Sequence, residues 1–392
     1  MRRSPPSLRR RAALAVACAI VGGPPAAADW SARLSLSQRI EGDSNIRLEE
    51  TSDSAVRSVT TATLRTVFDS PTTKWTTSLG VSGVGTIGEE PGTSEDRINP
   101  NLRTSVAYQA KRLGLTGDLR LRRRQVSRAQ FEEAGFTEDD GAQIDVNGDV
   151  GVSYQIDPRS SLRFGASADA TRFEDNSEDL FTESETFGLS AGYSYRVSDR
   201  TRLSLGGGLR FFFADNEADT ETTVFTISAG VAHEVNSRLS VAANAGVDFD
   251  SQERTEGGVR STESDIGFTG DASVSWRPDG QSSLTFSVGQ ALNPSAFGAL
   301  QRTTSLSLGY ASQLTQHVGF DFGLTAADRS GGGSGEGETS RQTLSFSPAL
   351  SYQVTRDWRA SLGYEFRLSD DEDTRTSNAV FLQVGRTFTL IP

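Results

Sequence analysis

The sequence predicts an all-β fold, a single antiparallel up-and-down barrel of about eighteen strands that spans a membrane. Three observations predict it: long segments alternate apolar and polar residues, short turns and longer loops alternate between these segments, and an export signal precedes them. Residues 184–213 show this most clearly, because strict alternation runs to Val197, turns within 198–200 and then resumes. Ordinary strands have only about 5–6 residues, so segments of this length favour strands that cross a bilayer.

The first element is a predicted signal peptide, residues 1–28. Five arginines form a basic region before residue 12, residues 12–23 are apolar, and "AAAD" at 26–29 offers a cleavage site after Ala28. A lipoprotein modified at Cys18 is the alternative, but "AVAC" at 15–18 has alanine where leucine is preferred. Cleavage leaves residues 29–392 as one outer-membrane barrel domain.

Composition limits the function of the predicted mature chain. Cleavage removes five arginines, no acidic residue and the only cysteine, so the formal charge goes from −12 to −17. A cysteine-free chain has neither disulfides nor thiol catalysis. An acidic chain lacks the basic footprint of a nucleic-acid-binding protein, so we expect no nucleic-acid partner.

The alternation recurs after the signal peptide and predicts eighteen strands, each long enough to cross a bilayer at a tilt. The predicted segments are residues 30–40, 57–68, 74–86, 98–110, 113–126, 142–156, 160–172, 184–197, 201–213, 222–235, 238–250, 263–276, 282–292, 302–314, 316–327, 341–354, 357–369 and 377–390.

The connections are of two kinds. Eight short ones, such as "SDRT" at 198–201 and "PDGQ" at 278–281, are rich in residues that favour tight turns. Between them lie nine longer, acidic or glycine-rich loops, such as those at 89–97, 132–141, 173–184, 329–340 and 369–377. This asymmetry is typical of outer-membrane barrels, which have short periplasmic turns and longer outward loops. A propeller is the alternative, but its blades would need four short strands where each period here holds two long ones.

One face of each predicted strand is free of charge and the other is polar. Residues 239–249 show this, with Leu239, Val241 and Phe249 on one face and Ser240 and Asp248 on the other. Eighteen strands enclose a lumen too wide for side chains to fill, so we expect the polar face inside and the apolar face in lipid. Aromatic residues near strand ends suit an interfacial girdle, namely Trp30, Trp75, Tyr108, Tyr154, Tyr195, Trp276, Tyr352 and Trp358.

Two segments carry a family resemblance. "QVGRTFTL" at 383–390 resembles the C-terminal insertion signal of Gram-negative outer-membrane barrels, with Gln383, Gly385, Phe388 and Leu390 at its four positions. "LSLSQRIEGDSNIRL" at 34–48 resembles the first hairpin of the beta-barrel porin type 2 family. The resemblance implies a porin-like protein of the outer membrane with both termini periplasmic, in contact with lipid and lipopolysaccharide and inserted by the barrel assembly machinery.

Charges on the polar face are the candidate functional residues, because charged linings set pore selectivity. We expect a basic wall and, opposite to it, an acidic wall. The predicted basic wall consists of Arg33, Arg65, Arg103, Arg120, Arg122, Arg359 and Arg367. The predicted acidic wall consists of Asp145, Asp149, Asp169, Asp248, Asp271 and Asp321.

The sequence offers no candidate for catalysis, a cofactor or a metal. His233 and His317 flank short turns, where a hydrolase histidine would not lie. The acidic loops lack the spacing of a calcium loop, although divalent bridging to lipopolysaccharide stays open.

We therefore expect a non-enzymatic polar pore for passive diffusion of small hydrophilic solutes or ions. The alternatives are a barrel of an envelope or exopolysaccharide export system, a structural barrel without free diffusion and, third, an outer-membrane hydrolase. No long loop has the length of a segment that folds inward as a constriction, so the sequence predicts an open pore or a narrow, strongly tilted barrel. The solute and the oligomeric state stay open.

Overall fold

The computed structural model describes residues 28–45, 54–87, 97–125, 141–174, 181–216, 220–256, 259–295, 298–330, 341–370 and 373–391. The predicted signal peptide, apart from Ala28, lies outside these residues, as do most of the long predicted loops. The described residues include no helix long and apolar enough to cross a membrane.

The described residues form eighteen β-strands. They are β1 (Asp29–Asp43), β2 (Ala55–Asp69), β3 (Thr73–Ile87), β4 (Arg97–Gln109), β5 (Leu113–Gln125), β6 (Ala142–Gln155), β7 (Ser160–Glu174), β8 (Ser184–Arg196), β9 (Thr201–Ala214), β10 (Thr220–Asn236), β11 (Leu239–Glu256), β12 (Val259–Trp276), β13 (Ser282–Pro294), β14 (Leu300–Gln313), β15 (Val318–Ser330), β16 (Arg341–Gln353), β17 (Trp358–Asp370) and β18 (Thr374–Ile391).

The strands make one closed sheet. Each pairs antiparallel with the next along the chain, and β1 also pairs with β18, from Ala32 opposite Ile391 to Asp43 opposite Ala379. We call the seam between β1 and β18 the closure seam. Closure satisfies backbone groups that an open sheet would expose at its edges, which lipid requires. The predicted all-β, eighteen-strand, up-and-down barrel is confirmed.

The apolar face of the sheet points outward. Leu205 is 62% exposed and Phe164 is 52% exposed, and large apolar residues at alternate positions are exposed on nearly every strand. A soluble barrel would bury this face, so the exposed apolar surface is that of a membrane-spanning barrel. Of the eight predicted girdle residues, all but Tyr108 are exposed.

One end of the barrel, which we call the turn end, carries the eight short connections. In six of them the side chain that opens the turn accepts hydrogen bonds from the backbone N–H groups two and three residues later. For Asp279 the donors are Gln281 at 2.8 Å and Ser282 at 2.6 Å, and these bonds hold the pKa of its carboxyl below its ordinary value. The six residues are Asp157, Ser198, Asn236, Asp279, Thr315 and Thr355.

The opposite end, the loop end, departs from the prediction in one sector. β10, β11 and β12 have 17, 18 and 18 residues, so β11 and β12 are separated only by residues 257–258. The sequence predicts a loop from 251 to 262 there, whereas the strands continue. Their added residues, such as Ser251 and Glu253, are polar on both faces, which hides the alternation.

Candidate functional site: a constriction in the lumen

Contacts between strands that are not neighbours define the inside of the barrel. Arg210 on β9 donates a hydrogen bond to the carbonyl oxygen of Leu292 on β13, at 2.6 Å, although three strands separate β9 from β13 in the sheet. Such a contact can only pass through the lumen. The face that carries Arg210 is therefore the inner face, and along β9 it alternates with the exposed Leu203 and Leu205.

The segment that makes this contact is the loop-end part of the β13–β14 hairpin, whose described residues, 291–295 and 298–301, we call the tip. Leu292 and Leu300 are buried in one apolar cluster with Phe212, Ala214 and Val224, which belong to the inner face of β9 and β10. The expectation that no loop folds inward is therefore wrong. The tip bends across the mouth of the lumen and narrows it.

A cavity of about 520 Å³ lies between the tip and the wall formed by β5 to β9. The tip contributes Asn293, Ser295 and Gln301 to its lining. The charged residues around it are five arginines and two aspartates, namely Arg120, Arg122, Arg124, Arg210, Arg329, Asp145 and Asp169. A lining with this excess of guanidinium groups favours anions.

Arg120 and Arg122 are the members of this lining that lie next to an arginine whose charge is already paired. Asp145 accepts two hydrogen bonds from Arg124, at 2.8 and 3.1 Å, which neutralises that side chain. The described residues place no carboxylate within ion-pair distance of Arg120 or Arg122, which lie beside Arg124 on the inner face of β5. We call Arg120, Arg122 and Arg124 the arginine row.

A second cavity, of about 680 Å³, lies along β13 to β17. Its lining is made mostly of small polar or apolar side chains, with Asp321, Arg39 and Glu365 as its charged members. Arg39 stacks its guanidinium on the ring of Phe381 at 3.6 Å. The serine and threonine hydroxyl groups in this lining give water hydrogen-bonding partners in this part of the lumen.

All thirteen residues of the two predicted walls lie in the inward phase of their strands. The two predicted sets meet at the β5–β6 pairing, where Asp145 lies directly opposite Arg122 and Asp149 lies opposite Asp118. Arg103 is paired with Asp118 at 3.1 Å. Basic and acidic side chains thus share the β5–β7 wall, while their part in selectivity stays a prediction.

The other members of the two walls have different surroundings. Arg33 and Arg65 lie opposite each other near the turn end, and Arg359 donates a hydrogen bond to Gln353 at 3.2 Å. Arg367 is buried near the loop end, with its guanidinium 2.7 Å from Asp43. The Arg367 charge is therefore neutralised by Asp43 within the barrel wall. Asp248, likewise buried, lies 3.9 Å from Arg302, the residue that follows the tip, and Thr226 donates a hydrogen bond to it at 2.6 Å.

Sequence reasoning missed Arg124, Arg210, Arg329 and the tip itself. One signal could have found the tip: "ALNPSAFGAL" at 291–300 has no charged residue, whereas the other predicted loops are acidic or glycine-rich. An uncharged, apolar segment at the mouth of a wet lumen needs an apolar surface to cover it.

The remaining predicted residues lie away from the lumen constriction. His233 faces outward, where its Nδ1 lies 2.9 Å from the Thr201 hydroxyl, and His317 packs beside Tyr352 at the turn end. Within the described ranges, no three His, Cys, Asp or Glu side chains are grouped to hold a metal ion. In the predicted insertion signal, Leu390 is exposed on the outer face, in phase with Phe388, and Gln383 and Gly385 lie in the inward phase.

The chain is similar to part of one protein family and to several solved structures. A family model described as "Putative MetA-pathway of phenol degradation" matches residues 137–263, less than half of the chain. No curated protein matches the chain.

Among solved structures, OpdO of Pseudomonas aeruginosa is similar at 12% identity and a TM-score of 0.46, over 92% of this chain and 98% of that one. OpdK, an outer membrane protein of the same species, is similar at 11% identity and 0.45, over 92% and 99%. OccAB2 of Acinetobacter baumannii is similar at 8% identity and 0.45, over 92% and 98%.

Proposed function

We propose that the protein forms a pore in the outer membrane of a Gram-negative bacterium and passes small hydrophilic solutes or ions by diffusion. The observation that carries the proposal is a polar lumen inside an apolar shell, narrowed on one side by the tip and lined there by the arginine row. The cavity beside the tip, of about 520 Å³, and the second cavity, of about 680 Å³, are not filled by side chains, so both have room for water.

The asymmetry of the two ends supports a proposed orientation in the membrane. β1 begins and β18 ends at the turn end, as in outer-membrane barrels whose short turns face the periplasm. The proposed arrangement has both termini in the periplasm and the tip at the outer mouth. A solute entering from outside meets the constriction first.

The charge balance at the constriction favours anions. Arg120 and Arg122 face the cavity without a carboxylate partner among the described residues, while Asp145 is occupied by Arg124. A desolvating passage strengthens the attraction between a permeating anion and these guanidinium groups. The chain as a whole is acidic, so this preference is a local property of the constriction.

The remaining proposals concern partners. The exposed apolar belt is fitted to lipid and, on the outer side, to lipopolysaccharide. The segment that contains Gln383 and Leu390 is the proposed signal for the barrel assembly machinery.

Planar-bilayer recording of the purified, refolded protein tests the proposal. We expect stepwise conductance increments and, in a salt gradient, a reversal potential that indicates anion preference. A preparation that inserts, remains folded and never conducts would contradict the pore and favour a structural or partner-dependent barrel. The same sample, unfolded by heating, is the control for conductance caused by contaminants.

A further inference from the structure

The tip leaves the sheet at a defined point. The β12–β13 ladder ends at Gly270 opposite Gln290, while β12 continues to Val259 in register with β11. β13 and β14 stay paired with each other up to Pro294 opposite Leu300. The tip is therefore an intact hairpin that has turned inward, and in the described sheet the β13-facing edge of residues 259–269 has no strand beside it.

Specific contacts hold the tip in this docked position. Leu292 and Leu300 are 9% and 8% exposed against Phe212 and Val224, which are 0% and 2% exposed. Arg302 donates a hydrogen bond to the carbonyl oxygen of Phe268, on the edge of β12 that lacks its strand partner. Gly267 leaves room for that guanidinium, since any side chain there would overlap it.

The sequence of the tip also fits a second position, in the wall. Continuing the β12–β13 register by two residues from Gly270 and Gln290 places Leu292 opposite Phe268. Leu292 is in the same phase as the lipid-facing Phe286 and Val288, so it would face outward beside Phe268, which is 58% exposed. The Phe268 carbonyl would then accept a ladder hydrogen bond in place of the one from Arg302.

We propose that the tip is a two-position gate, docked on β9 and β10 in the narrow state and zipped onto β12 in the wide state. This inference rests on the proposed pore function. Both positions remove Leu292 and Leu300 from water, and both give the Phe268 carbonyl a hydrogen bond. The tip therefore makes equivalent interactions in the two positions, which is what a two-state switch requires. The docked tip also holds Arg302 against Asp248, and zipping takes that cation away from the β11 wall.

The two positions differ in conductance and in ion preference. When the tip is docked, ions can pass only through the space between the tip and the arginine row, which favours anions. Zipping widens the lumen and uncovers Asp248 and Asp250 on the inner face of β11, which reduces the anion preference. We therefore expect two conductance levels in wild type, with the larger one less anion-selective.

A reversible crosslink tests the motion. A Cβ built on Gly298, whose φ is +75°, lies 3.0 Å from the Cβ of Ala214 and 2.8 Å from Cγ2 of Thr182. An Ala214→Cys/Gly298→Cys variant therefore also carries Thr182→Ser, which removes that methyl group, and Cys18→Ala. A small backbone shift brings the two Cβ atoms to the roughly 3.5–4.5 Å of a disulfide, which would lock the docked position. The oxidised variant should show only the smaller level, and dithiothreitol should restore the larger one in the same channels. Identical recordings before and after reduction, once the disulfide is verified on a gel, would overturn the gate.

Thiol labelling provides a readout that does not depend on conduction. A Val224→Cys variant carries its thiol under the docked tip, so a water-soluble maleimide should react slowly, and not at all when the crosslink is also present and oxidised. The control, Ser283→Cys, lines the second cavity, which contains no tip residue, and should react at once in either case. Labelling at position 224 without any conductance would support the movement of the tip and contradict the proposed pore. Conductance without labelling at position 224, while position 283 reacts, would contradict the two-position gate and support the pore.

Discussion

Replacing Arg367 with alanine should lower the free energy of unfolding by about 3–5 kcal/mol, the cost of breaking a buried ion pair. Arg367 on β17 lies 2.7 Å from Asp43 on β1, and its side chain and that of Asp43 are 7% and 0% exposed. The Ser377 hydroxyl of β18 donates to the same carboxylate at 2.6 Å. The cluster joins three strands at the loop end of the closure seam, where the first and last strands of the chain meet.

The cost arises because the substitution removes the cation and leaves the buried Asp43 carboxylate, among the described residues, with hydrogen bonds from the Ser377 hydroxyl and the Asn45 backbone N–H. Urea unfolding in detergent micelles, followed by the fluorescence of the four tryptophans, measures it. Arg359→Ala is the matched control, since Arg359 is on the same strand, faces the same lumen and is exposed at the turn end. We expect that control to change stability by less than about 0.5 kcal/mol.

A double variant separates the pair from the individual side chains. If the ion pair carries the effect, Asp43→Asn together with Arg367→Ala should cost less than the two single changes added, since contacting residues are not additive. Equal losses in Arg367→Ala and Arg359→Ala would show that the cluster does not stabilise the seam.

Replacing Arg120 and Arg122 with glutamate should change the pore from anion-preferring to cation-preferring. The double substitution alters the formal charge beside the constriction by four units, in a lining where only Asp145 and Asp169 now oppose five arginines. A charge within about 5 Å of a permeating ion changes its energy by about 1–3 kcal/mol at intermediate dielectric. We expect the permeability ratio of anion to cation to fall by tenfold or more, since about 1.4 kcal/mol corresponds to a factor of ten.

Reversal potentials in a potassium chloride gradient measure this ratio. The shift should be larger near 0.1 M than near 1 M salt, because the screening length falls from about 10 Å to about 3 Å. Arg163→Glu is the control, because Arg163 is exposed in the inward phase of β7 near the turn end and is not part of the constriction. If both variants shift the potential equally, selectivity is set by total lumen charge and not by the arginine row.

The strands could be predicted from the sequence because alternation is a direct consequence of having lipid on one side and water on the other. The predicted segment 184–197 corresponds to β8 at Ser184–Arg196, and 201–213 corresponds to β9 at Thr201–Ala214. The strand bounds were predicted wrongly where a strand continues beyond the lipid-facing part of the barrel. β11 extends from the predicted residue 250 to Glu256 through residues that are polar on both faces, where no alternation marks a strand.

For the lumen, the sequence predicts only which residues face inward, from their alternate positions along each strand. That Arg122 and Asp145 face inward follows from alternation, but that they are cross-strand neighbours follows from the register of β5 and β6, which no single strand encodes. The tip was missed for a related reason. Leu292 and Leu300 keep the phase of wall residues, so the pattern is the same whether the hairpin stays in the sheet or turns into the lumen.

The central claim is a closed barrel with lipid outside and water within, and adjacent alanines on β11 test it most directly. Ala243 lies in the outward phase with Val247 and Phe249, whereas Ala242 lies in the inward phase with Asp248. Each is replaced by cysteine, spin-labelled and reconstituted in vesicles, and the collision rates with oxygen and with a water-soluble nickel complex are compared. We predict oxygen-dominated collisions at position 243 and nickel-dominated collisions at 242, and the reverse pattern, or no difference, would contradict the barrel described here.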